Sequence, residues 1–232
     1  MRELDVCIQS SQILRGIDVD VRDNEIVCLV GRNGAGKTTL LRTIMGYLRP
    51  VRGIIELDGR SLRDRRTYEI AAAGIGFSPE ESEVFADLSV ADNIELPTWT
   101  RKSARSGGER VELAYRIFPQ LKGYMGRGGA QLSGGERKML SIARALALDA
   151  DMLLLDEPFE GLSPAVIPSI SSAVHQIVHA GRSVLQAESS LHHVPEFAGR
   201  VFVIERGEII FAGAPEEAWR DGDVKRIIGA EV

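Results

Sequence analysis

Gly31-Arg32-Asn33-Gly34-Ala35-Gly36-Lys37-Thr38-Thr39 follows the apolar run Ile26-Val27-Cys28-Leu29-Val30 and leads into Leu40-Leu41-Arg42-Thr43-Ile44-Met45. The apolar run reads as a short buried strand, and Thr38 to Met45 as the helix after it. Between them the chain matches G-x-x-x-x-G-K-[ST] in the strand–loop–helix setting that lets this pattern act as a phosphate loop. Gly31, Gly34 and Gly36, with Asn33 and Ala35 between them, let successive backbone N–H groups turn inward around phosphate oxygens. The helix N-terminus adds the positive end of its dipole. Lys37 is then placed to reach the β- and γ-phosphates, and the hydroxyl of Thr38, with Thr39 beside it, to hold Mg²⁺. A Gly-rich turn that binds nothing is the plainer alternative, but motif and context together point to a bound nucleotide.

The 232 residues suit one α/β domain with an embedded subdomain, and 44% hydrophobic with 26% charged residues is ordinary for a globular chain. A net charge of −5 argues against nucleic acid as the main partner. The basic cluster Arg60-Ser61-Leu62-Arg63-Asp64-Arg65-Arg66 is interrupted by an acid and has no aromatic ladder, so it reads as a solvated face. Cys7 and Cys28 sit in apolar runs without C-x-x-C spacing, which fits core packing in a reducing cytoplasm. No apolar stretch approaches the ~20 residues that span a bilayer. The acidic N-terminus Met1-Arg2-Glu3-Leu4-Asp5 is unlike a signal peptide. Any membrane role therefore needs separate spanning subunits.

Leu4 to Ile8, Gly16 to Val21 and Ile54 to Leu57 read as strands of a partly antiparallel layer, with turn chemistry at Asp23-Asn24 and Asp58-Gly59. From about residue 88 to 148 the pattern is mostly helical, with a loose Arg/Ser/Gly-rich stretch from Thr98 to Gly108. Buried-strand character returns at Met152 to Asp156, Val184 to Ala187 and Val201 to Ile204. Pro164 to Ala180 reads as a crossover helix, and Arg206-Gly207-Glu208 as the turn of a hairpin.

Two further elements carry chemistry. The strand ending in Asp156-Glu157 brings carboxylates to a strand C-terminus, where Asp156 can bind Mg²⁺ through water and Glu157 can polarise an attacking water. Two solvated acids would be the default without the phosphate loop. In Leu132-Ser133-Gly134-Gly135-Glu136, Ser133 reads as a helix N-cap with Glu136 completing a capping box, so the helix N-terminus offers an anion site.

Leu-Ser-Gly-Gly-Glu before a strand ending in Asp-Glu-Pro, downstream of a phosphate loop, resembles the nucleotide-binding domain of ABC transporters over essentially the whole chain. The resemblance implies a P-loop NTPase (RecA-like) α/β core with an antiparallel β subdomain and an inserted α-helical signature subdomain, all in one domain over 1–232. It implies an ATPase that uses ATP and Mg²⁺, pairs head to tail with a second such subunit, and works with transmembrane permease subunits at the inner face of the plasma membrane. Ser133, Gly134 and Gly135 would then contact the γ-phosphate held by the partner's Lys37. Gly76-Phe77-Ser78-Pro79-Glu80 is similar to the Q-loop region, with Glu80 where Gln is usual. The segment Glu80 to Asn93, and Glu157-Pro158-Phe159-Glu160-Gly161-Leu162-Ser163-Pro164, resemble the smaller ATPase of branched-chain amino acid (or urea and amide) importers.

The chain also departs from that pattern. The adenine-stacking aromatic is missing near Ile8 and Gln9, and Ser189 stands at the switch-histidine position. His192 and His193 lie close by and read as surface residues of a loop, with compensation for the missing switch histidine as the alternative; His175 and His179, at an i, i+4 spacing that can suit a metal, read with no third ligand in view as a solvated helix face. A degenerate regulatory subunit with little turnover, and a soluble ABC ATPase outside transport, are the alternatives. Proteins of the second kind usually carry long coiled-coil insertions, zinc modules or two fused domains, which this sequence does not show.

Overall fold

A computed structural model describes residues 1–228 of the chain; the last four residues of the expected 1–232 domain lie outside the described residues. In chain order the first elements are β1 (Arg2–Ile8), β2 (Ser11–Ile17), β3 (Ile26–Val30), α1 (Lys37–Ile44), β4 (Arg52–Ile54), β5 (Glu56–Leu57), β6 (Arg60–Ser61) and α2 (Thr67–Ala73). Next come β7 (Ile75–Ser78), α3 (Val90–Glu95), α4 (Gly107–Ile117), α5 (Gly134–Ala147), β8 (Met152–Asp156) and α6 (Ile167–His179). The chain closes with β9 (Ser183–Glu188), β10 (Arg200–Glu205), β11 (Glu208–Gly213), α7 (Pro215–Arg220) and α8 (Gly222–Ile228). These elements form two compact units, one of Met1–Ile70 with the stretch from Leu185 onward, the other Ala71–Val184.

In the first unit β3 is buried at every position, as an all-apolar strand with neighbours on both faces must be. It pairs in parallel with β10, Val27 opposite Arg200 through Val30 opposite Val203, and β11 returns antiparallel across the two-residue turn Arg206-Gly207. The strand order is β11-β10-β3-β9. A separate antiparallel layer runs β2-β1-β4. The expected strand at Gly16–Val21 lies earlier, at Ser11–Ile17, because a tight turn at Gln9-Ser10 folds β2 straight back onto β1. The expected Ile54–Leu57 strand splits at Ile55, where β4 leaves β1 and β5 turns into its own hairpin with β6.

In the second unit β7 and β8 pair in parallel, Ile75 opposite Met152 through Ser78 opposite Leu155. Three of its helices start on the same chemistry. Ser89 with Asp92, Ser106 with Glu109 and Ser133 with Glu136 each form a reciprocal capping box, which satisfies two of the N–H groups that a helix start leaves orphaned. The stretch Thr98–Gly108, expected to be loose, is tied down by charge. Asp149 accepts from Arg105 at 2.8 Å and also from Arg182 and Ser103. Arg101 reaches Asp151 at 2.6 Å, and the buried Arg110 donates to main-chain carbonyls of Thr98, Arg101 and Leu148. Composition alone reads such a stretch as solvated, whereas here the arginines are the internal donors.

One ion-pair cluster gives a pH test. Arg200 grips Glu25 at 2.7 and 2.8 Å and Asp20 at 3.1 and 2.9 Å. Hydrogen bonding from Arg200 lowers the Asp20 carboxyl; burial pushes Glu25 up, but the bonds from Arg200 and the Arg22 N–H, with the charges of both arginines, together leave it lowered. Both carboxyls therefore ionise more easily folded than unfolded. Their stabilisation is complete at neutral pH and is lost as pH falls through the carboxylate range. Arg200→Met is expected to lower the neutral-pH melting temperature by about 2–6 °C. The gap from the parent chain should close on acidification, and melting curves at a series of pH values check this: a constant gap would sink the account.

Candidate functional site

Each unit carries one part of the expected machinery at the C-terminal ends of its strands. In the first unit β3 runs into the loop from Gly31 to Lys37. Gly36 is the N-cap of α1 at φ 117°, a left-handed conformation that only glycine adopts without strain, and a Cβ there would lie 2.7 Å from the Leu14 side chain. No side chain caps this helix start and its first turn holds no acid. Its leading N–H groups and dipole are thus arranged for an anion. The Lys37 side chain is only 3% exposed and folds back over the loop, its Nζ donating to Gly31 O at 2.6 Å and Arg32 O at 3.2 Å. Asn33 and Gly34 are exposed, Thr38 and Thr39 half-buried, and Gly31 and Ala35 buried.

The loop is sealed from two sides. Gly207, at φ 81° in the hairpin turn, donates its N–H to Ala35 O at 2.9 Å and accepts from Arg15 N–H at 2.8 Å. A Cβ on Gly207 would fall 1.9 Å from Ile13 O, so this close approach also requires glycine. From β9, Glu188 O accepts the Gly31 N–H at 3.1 Å, which sets the half-buried Ser189 next after a residue bonded to the loop. Ile8, near the expected adenine contact, ends β1 and is 41% exposed.

In the second unit β8 ends on Asp156, almost wholly buried, and Glu157 follows at φ 44°. Positive φ is uncommon for a residue with a Cβ and is held only where the surroundings over-determine it. Glu80 is exposed, but its main chain is fixed: Lys138 Nζ donates to Glu80 O at 2.6 Å, Pro79 O at 3.2 Å and Asp156 O at 3.5 Å. One buried ammonium thus draws the Pro79-Glu80 loop and the Asp156 strand end together. Ser133 caps α5 as expected, its hydroxyl accepting Glu136 N–H at 3.3 Å and Glu136 accepting Ser133 N–H at 2.7 Å. The bond from the Ser133 backbone lowers the Glu136 carboxyl. Gly134 is exposed at this N-terminus. Gly135 packs so close to Val166 that a Cβ would lie 2.9 Å from it.

Residues outside the expected set support these. Asn93 clamps Phe85 through both main-chain groups, accepting from its N–H at 2.9 Å and donating to its carbonyl at 3.0 Å. Arg144 donates to Glu83 O at 2.8 Å and lies 4.4 Å from the Phe85 ring centroid. In the sequence, Lys138 and Arg144 look like ordinary polar positions of an amphipathic helix; only burial shows their part. Of the paired histidines, His192 is exposed as expected, while His193 is half-buried and closes a 3₁₀ turn with its Nδ1 3.2 Å from the buried Glu188 carboxylate. His175 and His179 meet edge-on, ring centroids 4.2 Å apart, on an exposed helix face, and no group of three or more metal-binding side chains occurs among the described residues.

Burial, then the Glu188 charge, pushes the Cys28 thiol far up, whereas Cys7 is half-buried. Thiolate is the reactive species. Iodoacetamide is therefore expected to label Cys7 in the native chain and Cys28 only in denaturant, as read by mass spectrometry. Native labelling of Cys28 would overturn this.

The ABC transporter family model matches residues 14–160. The lipopolysaccharide export system ATP-binding protein LptB of Haemophilus influenzae is 33% identical over 221 residues, covering 94% of this chain and 91% of its own. The high-affinity branched-chain amino acid transport ATP-binding protein BraG of Pseudomonas aeruginosa is 34% identical over 200 residues, covering 86% and 85%. The solved structure of the ADP conformation of MJ1267, an ATP-binding cassette of an ABC transporter, superposes with a TM-score of 0.85 at 23% identity over 99% of this chain and 97% of that one. The dimeric post-hydrolysis state of the cassette MJ0796 bound to ADP and Pi superposes at 0.80 with 22% identity over 92% and 97%. These two carry the fold, an α/β P-loop NTPase. With its loop from Gly31, its strand-end carboxylates and its capped Ser133 helix, this chain belongs to the ABC transporter family, as an ATP-binding, ATP-hydrolysing subunit.

Proposed function

We propose that this chain is the energy-supplying subunit of an importer for branched-chain amino acids or a related small polar solute. In this reading it pairs with a second ABC ATPase and drives separate membrane subunits from the inner face of the plasma membrane. The observation that carries the ATP-dependent part is the uncapped, acid-free N-terminus of α1 beneath the Gly31–Lys37 loop, with the Lys37 ammonium already turned onto that loop. The cargo rests on the likeness of residues 80–93 and 157–164 to importer ATPases and on the printed name of BraG; LptB, similar to the same degree, is named for export. Among the described residues no helix is long and apolar enough to cross a membrane, which suits a subunit docked on others.

Gly31, Asn33, Gly34, Ala35 and Gly36 supply the N–H cradle, and Thr38 and Thr39 extend it into the helix. Lys37 exchanges its carbonyl acceptors for β- and γ-phosphate oxygens, a transfer that costs little because one set of oxygens replaces another. The Thr38 hydroxyl and the buried Asp156 carboxylate are hard oxygen donors of the kind that would hold Mg²⁺, which when bound would neutralise phosphate charge. Glu157, locked at positive φ, accepts a proton from the attacking water. In this reading Glu80 and Ser189 would serve the γ-phosphate. Ser133, Gly134 and Gly135 present the N-terminus of α5 to the nucleotide of a partner subunit, so that two copies complete two sites; the exposure of Ser133 and Gly134 suits that role.

Steady-state ATP hydrolysis by the purified chain tests this reading. Lys37→Ala and Glu157→Gln are each expected to cut turnover by about 10²-fold or more. Glu157→Gln should still bind ATP and shift the chain toward dimer on size exclusion. Turnover should rise more than linearly with protein concentration. Turnover that is linear in protein concentration and indifferent to Lys37 would sink the proposal.

A further inference from the structure

The two histidines of the 3₁₀ turn Leu191–His193 face different neighbours. His192 meets the Trp219 ring of α7 edge-on, centroids 4.9 Å apart, which anchors the turn from outside. His193 turns the other way, its Nδ1 3.2 Å from Glu188 Oε2. Glu188 is the last residue of β9 and is 0% exposed. Its second carboxylate oxygen accepts from Gln186 Nε2 at 2.8 Å, and its main-chain carbonyl accepts the N–H of Gly31, the first residue of the phosphate loop. One residue therefore bonds the loop through its backbone and the His193 turn through its side chain. A buried carboxylate deprived of a donor must find another or drag its strand end toward water. Here that strand end is bonded to Gly31 and continues directly into Ser189.

We propose that His193 is a positioning residue for the ATPase site: by holding the Glu188 carboxylate it fixes the end of β9, and with it the register of Gly31 and Ser189. The inference rests on the reading of Gly31–Thr39 as the ATP site. Nucleotide affinity comes mainly from the loop N–H groups and Lys37. Alignment of the reacting end is sensitive to displacements well under an ångström. Loss of His193 should therefore act on kcat rather than on nucleotide binding.

The test uses the full chain, with ATP turnover and ADP binding by calorimetry measured for each variant. His193→Ala is expected to lower kcat about tenfold with the ADP Kd changed by less than about twofold. His193→Asn, which puts an N–H donor where Nδ1 stands, should recover most of that loss; His193→Gln, with its donor one bond farther out, should recover less. In a Glu188→Gln background, His193→Ala should cost little more, because the charge that it serves is gone. An Ala variant with parental kcat, an Asn variant no better than Gln, or additive losses in the double variant would each overturn the proposal. If the Ala chain does not fold, the Asn-to-Gln comparison carries the test alone. Turnover that survives Lys37→Ala sinks the reading of the loop itself. Turnover that depends on Lys37 but ignores His193 sinks only this inference.

Discussion

A lysine ammonium taken out of water must be surrounded by oxygen acceptors, and each compact unit of this ATPase is organised about one such group. Lys37 and Lys138 are both 3% exposed. Both donate to main-chain carbonyls: Lys37 to the turn at Gly31 and Arg32, Lys138 to Pro79, Glu80 and Asp156. Apart from Asp156 at the end of β8, the carbonyls held this way come from loop segments that no helix or sheet ladder would fix, because loops leave their acceptors unpaired. The ammonium replaces the missing ladder. It also leaves a positive charge beside each strand end.

The same economy governs the strand ends. β3, β8 and β9 are buried along nearly their whole length and concentrate their polar chemistry toward the C-terminus: the glycine loop, Asp156-Glu157, and Glu188-Ser189 with Gln186 two residues before it. A parallel strand in an α/β protein is apolar on both faces, so the first position free to be polar is the one where it leaves the sheet. Glu157 reaches that exit at positive φ, and Glu188 stays buried under the donors Gln186 and His193. Both conformations are costly in isolation and persist because neighbouring packing is firm: Phe159 is buried just past the first, and Leu191 just past the second.

Much of this was legible beforehand because its physics is local. A run of five apolar residues, a glycine loop, a Ser with an acid three residues on, and an Arg-Gly hairpin turn each specify their own backbone, and β3, β8, β10 and the cap at Ser133 stand where the pattern puts them. Where local signals tie, the reading slipped. Asp18 to Val21 alternates like a strand, yet β2 ends at Ile17, because the turn at Gln9-Ser10 had already set the register against β1. The arginines at 101 and 105 look solvated until Asp151 and Asp149, some forty residues or more away in sequence, supply their partners.

Sequence by itself determined the family, the glycine-rich loop and the strand-end carboxylates, since these depend on residue type at fixed spacing along one segment. Tertiary structure alone decided which long side chains are buried and whom they serve: Lys138 beneath the Glu80 loop, Arg144 against Phe85, and His193 on Glu188. A lysine, an arginine or a histidine has the same composition whether its head is in water or in the core. Only the packing of distant segments sets the burial that turns such a head from a solvated charge into a structural donor.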